Sequence, residues 1–247
     1  MYVPFLRMGS QVTRFSRLAH IPNAWPRAAV FDCDGLLIDT AACWRDAFVR
    51  ALQLQGRELS GPTLQQLGGA SIRSAADILN VPAPRLRREL EAAFERAKLA
   101  ALPGAALLIE RLRPRMPLAV ATNGPRNLIS RALERVSLRD AFDAIVSAET
   151  ESRDKPAPDV YETACAKLGV DPSDAIAFED SAVGAQAARR AGLTVVVVPS
   201  NPGERITADL LVPRLDDNRL SGLLRLDDVL LARAPATNGR VRRSDDD

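Results

Sequence analysis

The chain has 247 residues, 47% of them hydrophobic and 26% charged, with 33 lysines and arginines against 31 acids. That length can bury a sizeable core, and a net charge of +2 with mixed signs gives no electrostatic case for nucleic acid or an anionic membrane surface. Three cysteines without a Cys-x-x-Cys, and one histidine, His20, argue against zinc centres and against Ser-His-Asp or Cys-His catalysis, and fit a reducing cytoplasm.

Residues 1–26 hold Pro4, Pro22 and Pro26, show weak periodicity and read as a poorly ordered leader, with Met8 as an alternative start. They have no apolar h-region, which argues against a secretory signal. No apolar run in the chain reaches the roughly 18–20 residues that span a bilayer. The first strand is expected over 28–34, with Cys33 as a small buried hydrophobe. A helix follows from 40 to about 55, with Gly56 as its stop. Shorter helical pieces at 62–67 and 71–79 precede a charged helix over 84–100. The stretch 40–101 shows no strand pattern and reads as an all-helical insertion after the first strand.

Pro103-Gly104 opens a different pattern. Helices are expected at 104–113, 125–136, 157–168 and 182–191, alternating with strands at 118–122, 142–147, 175–178 and 193–198 and a short edge strand at 209–212. Strands alternating with helices of this length predict an α/β fold with a parallel sheet. The core then comprises 27–39 and 102–232, and the tail 233–247 reads as disordered.

Polar clusters fall at the carboxyl ends of four strands or shortly beyond them. They are Asp32-Cys33-Asp34-Gly35, Thr122-Asn123-Gly124, the loop Asp154-Lys155-Pro156-Ala157-Pro158-Asp159, and Glu179-Asp180-Ser181 with Gly184. In a parallel sheet these lie along one edge, where α/β proteins bind ligands. Strand alternation would send Asp32 and Asp34 to the same side, and paired carboxylates resist ionising unless a cation joins them. Hard oxygen donors suit Mg²⁺, with Glu179 and Asp180 completing the site. Asp32 can attack phosphorus, and Asp34 can move the protons. Thr122 and nearby amides can hold phosphoryl oxygens. Lysine occurs only at 98, 155 and 167. A lysine kept in an arginine-rich chain suggests a need for a compact ammonium, which Lys155 could bring to a phosphoryl transition state. As a residue of the cleft and not of the core, it is expected to tolerate replacement without loss of the fold.

These four motifs resemble those of the haloacid dehalogenase-like superfamily, in its β-phosphoglucomutase and phosphatase-like branch. The resemblance covers about residues 28–200. It implies a Rossmann-like core with a helical cap over 40–101, catalytic Asp32, Asp34 and Lys155, and phosphate contacts from Thr122, Asn123, Gly124 and Lys155. It also implies Mg²⁺ held by Asp32, Asp34 (through its backbone carbonyl), Glu179 and Asp180. An acid at 34 favours phosphoryl transfer over dehalogenation. The sugar-phosphate mutases of this branch carry a histidine where this chain has Trp44, and an arginine where it has Ile72, with Arg73 displaced by one. Trp44 reads most simply as a cap-core residue, with a place in the lining of the cleft as the alternative. The implied activity is a Mg²⁺-dependent phosphatase acting on a small phosphorylated metabolite, with a β-phosphoglucomutase-like mutase and a non-catalytic phosphate-binding protein as alternatives. A cytoplasmic monomer or weak dimer is expected.

Overall fold

The computed structural model describes residues 26–151, 153–201, 203–224 and 226. The expected leader, save its last residue, and the expected tail lie outside these residues.

Six strands form one parallel sheet in the order β3-β2-β1-β4-β5-β6. They are β1 (Ala28–Phe31), β2 (Leu118–Thr122), β3 (Ala144–Ser147), β4 (Ala175–Glu179), β5 (Thr194–Val197) and β6 (Leu210–Leu211). The central strands are continuous apolar runs because helices cover both faces of the sheet. Phe31, Val120, Ile176 and Phe178 turn to the face covered by α5 (Ala105–Leu112) and α6 (Arg126–Arg135). On that face the Phe31 and Phe178 rings stack at 4.7 Å, with Phe142 edge-on to Phe31 at 5.9 Å. Val30, Ala119 and Ala177 turn to the other face, under α7 (Asp159–Leu168) and α8 (Ala182–Ala191). The alanines on this second face let those two helices pack close to the sheet. Helix α9 (Asn218–Leu223), which the sequence reading does not include, buries Leu220 in the first cluster.

Between β1 and α5 lie only helices: α1 (Ala41–Gln53), α2 (Gly61–Gln66), α3 (Ile72–Leu79) and α4 (Ala83–Arg96). They pack through Phe48, Leu52, Leu79, Leu86, Leu90 and Phe94. The chain enters and leaves this cap side by side. Ile38 bridges Ala101, the Leu102 amide donates to the Leu37 carbonyl at 2.8 Å, and the Asp39 amide donates to the Ala100 carbonyl at 3.2 Å. That pairing explains why α4 ends at Arg96 and not near 100: Ala97 is already extended, at φ −72° and ψ 144°, to reach the return strand.

Strand β1 also ends earlier than the sequence suggests, at Phe31. Asp32 keeps one ladder bond, its amide donating to the Phe178 carbonyl at 2.9 Å. The chain then turns, with the Gly35 amide on the Ile38 carbonyl. Simple alternation therefore does not carry through to Asp34, and the two aspartates take different partners. Cys33 follows the strand but is fully buried, as expected.

Candidate active site

Parallel pairing puts the carboxyl ends of β1, β2, β3 and β4 along one edge of the sheet. The strand order reverses between β1 and β4, the position where open α/β sheets form their ligand crevice. The described residues form a cleft of about 510 Å³ there, between the sheet edge and the cap. Asp32, Asp34, Thr122, Asn123, Gly124, Lys155 and Asp180 line it on the core side, and Trp44, Phe48 and the 64–70 segment on the cap side. Of the site residues expected from the sequence, only Glu179 is not part of the wall. It lies directly behind, fully buried.

Lys155 ties the centre together. Its ammonium donates to Asp32 Oδ1 at 2.6 Å and to Glu179 Oε1 at 2.6 Å. Burial alone would lower its pKa, but the two carboxylates outweigh that and hold it above the ordinary lysine value. Burial pushes the Asp32 carboxyl well up; Lys155 opposes this, while Glu179 and Asp180 add to it. Asp180 is pushed up to about 7, by burial first and the Glu179 charge second.

Asp32, Glu179 and Asp180 each offer an oxygen, all within 4.8 Å of one another, and all three residues are buried. Carboxylates crowded this closely repel one another, and a cation among them relieves the repulsion. The donor set fits a hard divalent ion. Two glycines make the arrangement possible by close approach. A Cβ at Gly184 would overlap the Glu179 carboxylate, and one at Gly35, where φ is +83°, would overlap Asp180 Oδ2.

The Asp34 carboxylate lies outside that cluster. Its Oδ1 accepts from the Thr40 hydroxyl at 2.6 Å and from Trp44 Nε1 at 3.0 Å, and its Oδ2 accepts from the Thr122 hydroxyl at 3.3 Å. Burial raises its pKa against the pull of those three donors. Trp44 therefore has a role beyond cap packing. Its ring tilts against Phe48 at 5.8 Å, it lines the cleft, and its indole N–H faces the acid.

The turn after β2 is held by side chains of its own strand and of β3. The Gly124 amide donates to the Thr122 hydroxyl, and the Ser147 hydroxyl donates to the Gly124 carbonyl. Asn123 spans three segments. Its amide nitrogen donates to the Gly69 carbonyl of the cap at 2.7 Å, and its oxygen accepts from the Lys155 amide at 3.0 Å. The cap meets the lysine loop again at Asp154, whose carboxylate accepts from the hydroxyls of Ser71 and Ser74 and pairs with Arg73 at 3.4 Å. The displaced Arg73 thus faces the loop that carries Lys155.

Sequence reasoning missed Tyr161. It lies fully buried on α7, its hydroxyl donating to Glu179 Oε1 and its ring centroid 5.0 Å from Lys155 Nζ. Its place on the inner face of α7, one turn before Ala164 and Cys165, was the available signal.

The family profile described as haloacid dehalogenase-like hydrolase matches residues 29–198. Validoxylamine A 7'-phosphate phosphatase of Streptomyces hygroscopicus subsp. limoneus is 35% identical over 206 residues, covering 78% of this chain and 96% of that protein. Hexitol phosphatase B of Escherichia coli K12 is 31% identical over 217 residues, covering 80% and 96%. The crystal structure of CbbY from Rhodobacter sphaeroides in complex with phosphate superposes with a TM-score of 0.72 at 28% identity, covering 80% of this chain and 98% of that one. With its parallel sheet, helical insertion and acid-and-lysine sheet edge, the chain belongs to the haloacid dehalogenase-like hydrolases, in their β-phosphoglucomutase and phosphatase-like branch.

Proposed function

We propose that the protein is a Mg²⁺-dependent phosphatase that hydrolyses a small phosphomonoester through an aspartyl-phosphate on Asp32. The observation that carries this reading is the shared ammonium of Lys155. It engages one oxygen of Asp32 at 2.6 Å, at the floor of a cleft that can take a small metabolite. Its charge lies where the oxygens of a phosphoryl group on Asp32 would gather.

Asp32 attacks phosphorus with a carboxylate oxygen, and the bond from phosphorus to the ester oxygen breaks. Asp34 gives its proton to that leaving oxygen. Asp34 then takes a proton from a water that attacks the same phosphorus. The acyl-phosphate bond breaks, releasing phosphate and restoring the Asp32 carboxylate. Thr122, Asn123 and Gly124 line the cleft beside Asp32 and hold the phosphoryl oxygens. Asp32, Glu179, Asp180 and the Asp34 carbonyl would hold Mg²⁺, which supplies positive charge against the phosphoryl oxygens. The named activities of the two phosphatase relatives support a phosphorylated sugar or polyol as substrate. Trp44, standing where the mutases carry histidine, speaks against a mutase.

Turnover of p-nitrophenyl phosphate with Mg²⁺, followed by a phosphometabolite panel, tests the activity. β-Glucose 1-phosphate should yield free phosphate and not glucose 6-phosphate. Asp32→Asn should abolish turnover, while Asp34→Asn should still capture phosphoryl groups on Asp32, visible by rapid quench, and release them slowly. Wild-type rates in Asp32→Asn would refute the scheme.

A further inference from the structure

We propose that Tyr161 is a positioning residue of the active centre, which keeps the Lys155 ammonium between Glu179 and Asp32 instead of letting Glu179 take it. No motif includes this tyrosine, and the mechanism above does not use it. Yet its phenol is fully buried, and among the described residues its polar atom meets the charged centre: the hydroxyl donates to Glu179 Oε1 and lies 3.4 Å from Lys155 Nζ. Its ring centroid lies 5.0 Å from the same ammonium.

The competition is between two carboxylates for one cation. Glu179 Oε1 and Asp32 Oδ1 each sit 2.6 Å from Lys155 Nζ. Glu179 is fully buried and Asp32 is 7% exposed, so Glu179 has the greater need of a counter-charge. The other Glu179 oxygen already accepts from the Asp180 amide at 3.1 Å. The Tyr161 hydroxyl gives Oε1 a second donor, which spreads its charge and weakens its hold on Lys155. The ring, its centroid 5.0 Å from Nζ, adds a cation–π attraction. With both contributions the ammonium stays central. It then reaches Asp32 Oδ1 and leaves Asp32 Oδ2 for attack on phosphorus.

Tyr161→Phe removes the hydroxyl and keeps the ring and its packing. The kinetic arm rests on the phosphatase reading and uses p-nitrophenyl phosphate with Mg²⁺. The expected result is a fall in kcat of about 10-fold, the effect of one hydrogen bond to a charged group, with KM within about twofold. Because Tyr161 acts through Glu179, adding Tyr161→Phe to Glu179→Gln should cause no further loss. An unchanged kcat, or losses that multiply in the double variant, would overturn the inference. A crystal structure of Tyr161→Phe reads the inference independently of turnover: the Lys155–Glu179 contact should remain and the Lys155–Asp32 contact should lengthen beyond hydrogen-bond range. If both contacts persist unchanged the inference fails, even where the kinetics fall. Wild-type protein inactive on every phosphomonoester would refute the phosphatase reading and leave this structural arm to decide the role of Tyr161.

Discussion

Trp44 Nε1 donates to Asp34 Oδ1 at 3.0 Å, from the first helix of the cap to the acid two residues after Asp32. The indole cannot titrate or take up a proton, so it holds the Asp34 carboxylate without competing for the proton that Asp34 would move in the proposed reaction. Thr40, four residues earlier, reaches the same oxygen. Asp34 is thus oriented by the cap as much as by the core.

Trp44→Phe keeps an aromatic ring beside Phe48 and removes the donor along with some ring volume. We expect kcat to fall about 10-fold, as for a lost hydrogen bond to a charged group, with the melting temperature within a few degrees of wild type. Steady-state kinetics and a thermal melt check both halves. Unchanged kcat would mean that Thr40 and Thr122 suffice to orient Asp34.

Lys155→Arg should lower kcat/KM by roughly 10²-fold or more, since a broad planar guanidinium cannot sit between two carboxylates as an ammonium does. The structure also corrects the expectation that the fold would be spared. Lys155 is 6% exposed and packed between Asp32, Glu179 and Tyr161, so a larger side chain there should destabilise the protein by about 1–3 kcal/mol. Kinetics with urea denaturation test the two effects together. An active variant of normal stability would show that charge alone is needed at 155.

The acid cluster predicts a pH dependence for metal-free protein. Asp180 has a folded value of about 7 against an ordinary 3.8, through burial and then Glu179. The folded state therefore binds this proton more tightly than the unfolded chain does. The stability it contributes is full below the unfolded value and is lost as pH rises through the folded one. Without metal the melting temperature should fall between about pH 5 and pH 8, and Mg²⁺ should raise it more at the higher pH, where no proton competes. Thermal melts with and without EDTA measure this, with Asp180→Asn as the control that should flatten the difference. An Mg²⁺ effect of equal size at both pH values would count against the site.

Gly184→Ala places a methyl group against the Glu179 carboxylate, which Lys155 and Tyr161 hold in place. We expect a stability loss of about 1–3 kcal/mol from overpacking and weaker Mg²⁺ binding by calorimetry. Normal stability and affinity would mean that α8 can shift to make room.

Much of this site was legible in the chain because a parallel sheet gathers strand ends. Once Asp32, Thr122, Lys155 and Glu179 were assigned to the ends of apolar strands or just beyond, their convergence followed from topology. The helical insertion was legible because 40–101 lacks alternation. What the sequence concealed depends on turns and on helix faces. Asp32 and Asp34 part company because β1 stops at Phe31, and no residue pattern marks that stop. Tyr161 carries no motif and looks like any core aromatic, since a buried hydroxyl is told from a buried ring only by what it meets. Trp44 packs in the cap and lines the cleft, both readings its residue type allows, but nothing in the sequence marks the bond of its N–H to Asp34.

The two crossings into the cap lie side by side, held by the bonds Leu102–Leu37 and Asp39–Ala100. To the rest of the molecule the insert is therefore a cassette on a fixed pair of posts. A segment whose ends meet at that spacing can make the same two bonds at its base. Exchange of caps between relatives should then transfer substrate preference while the sheet edge keeps its chemistry. The couplings to respect at the graft are the contacts of Thr40 and Trp44 with Asp34, of Gly69 with Asn123, and of Ser71, Ser74 and Arg73 with Asp154, because through these the cassette touches the sheet edge it stands over.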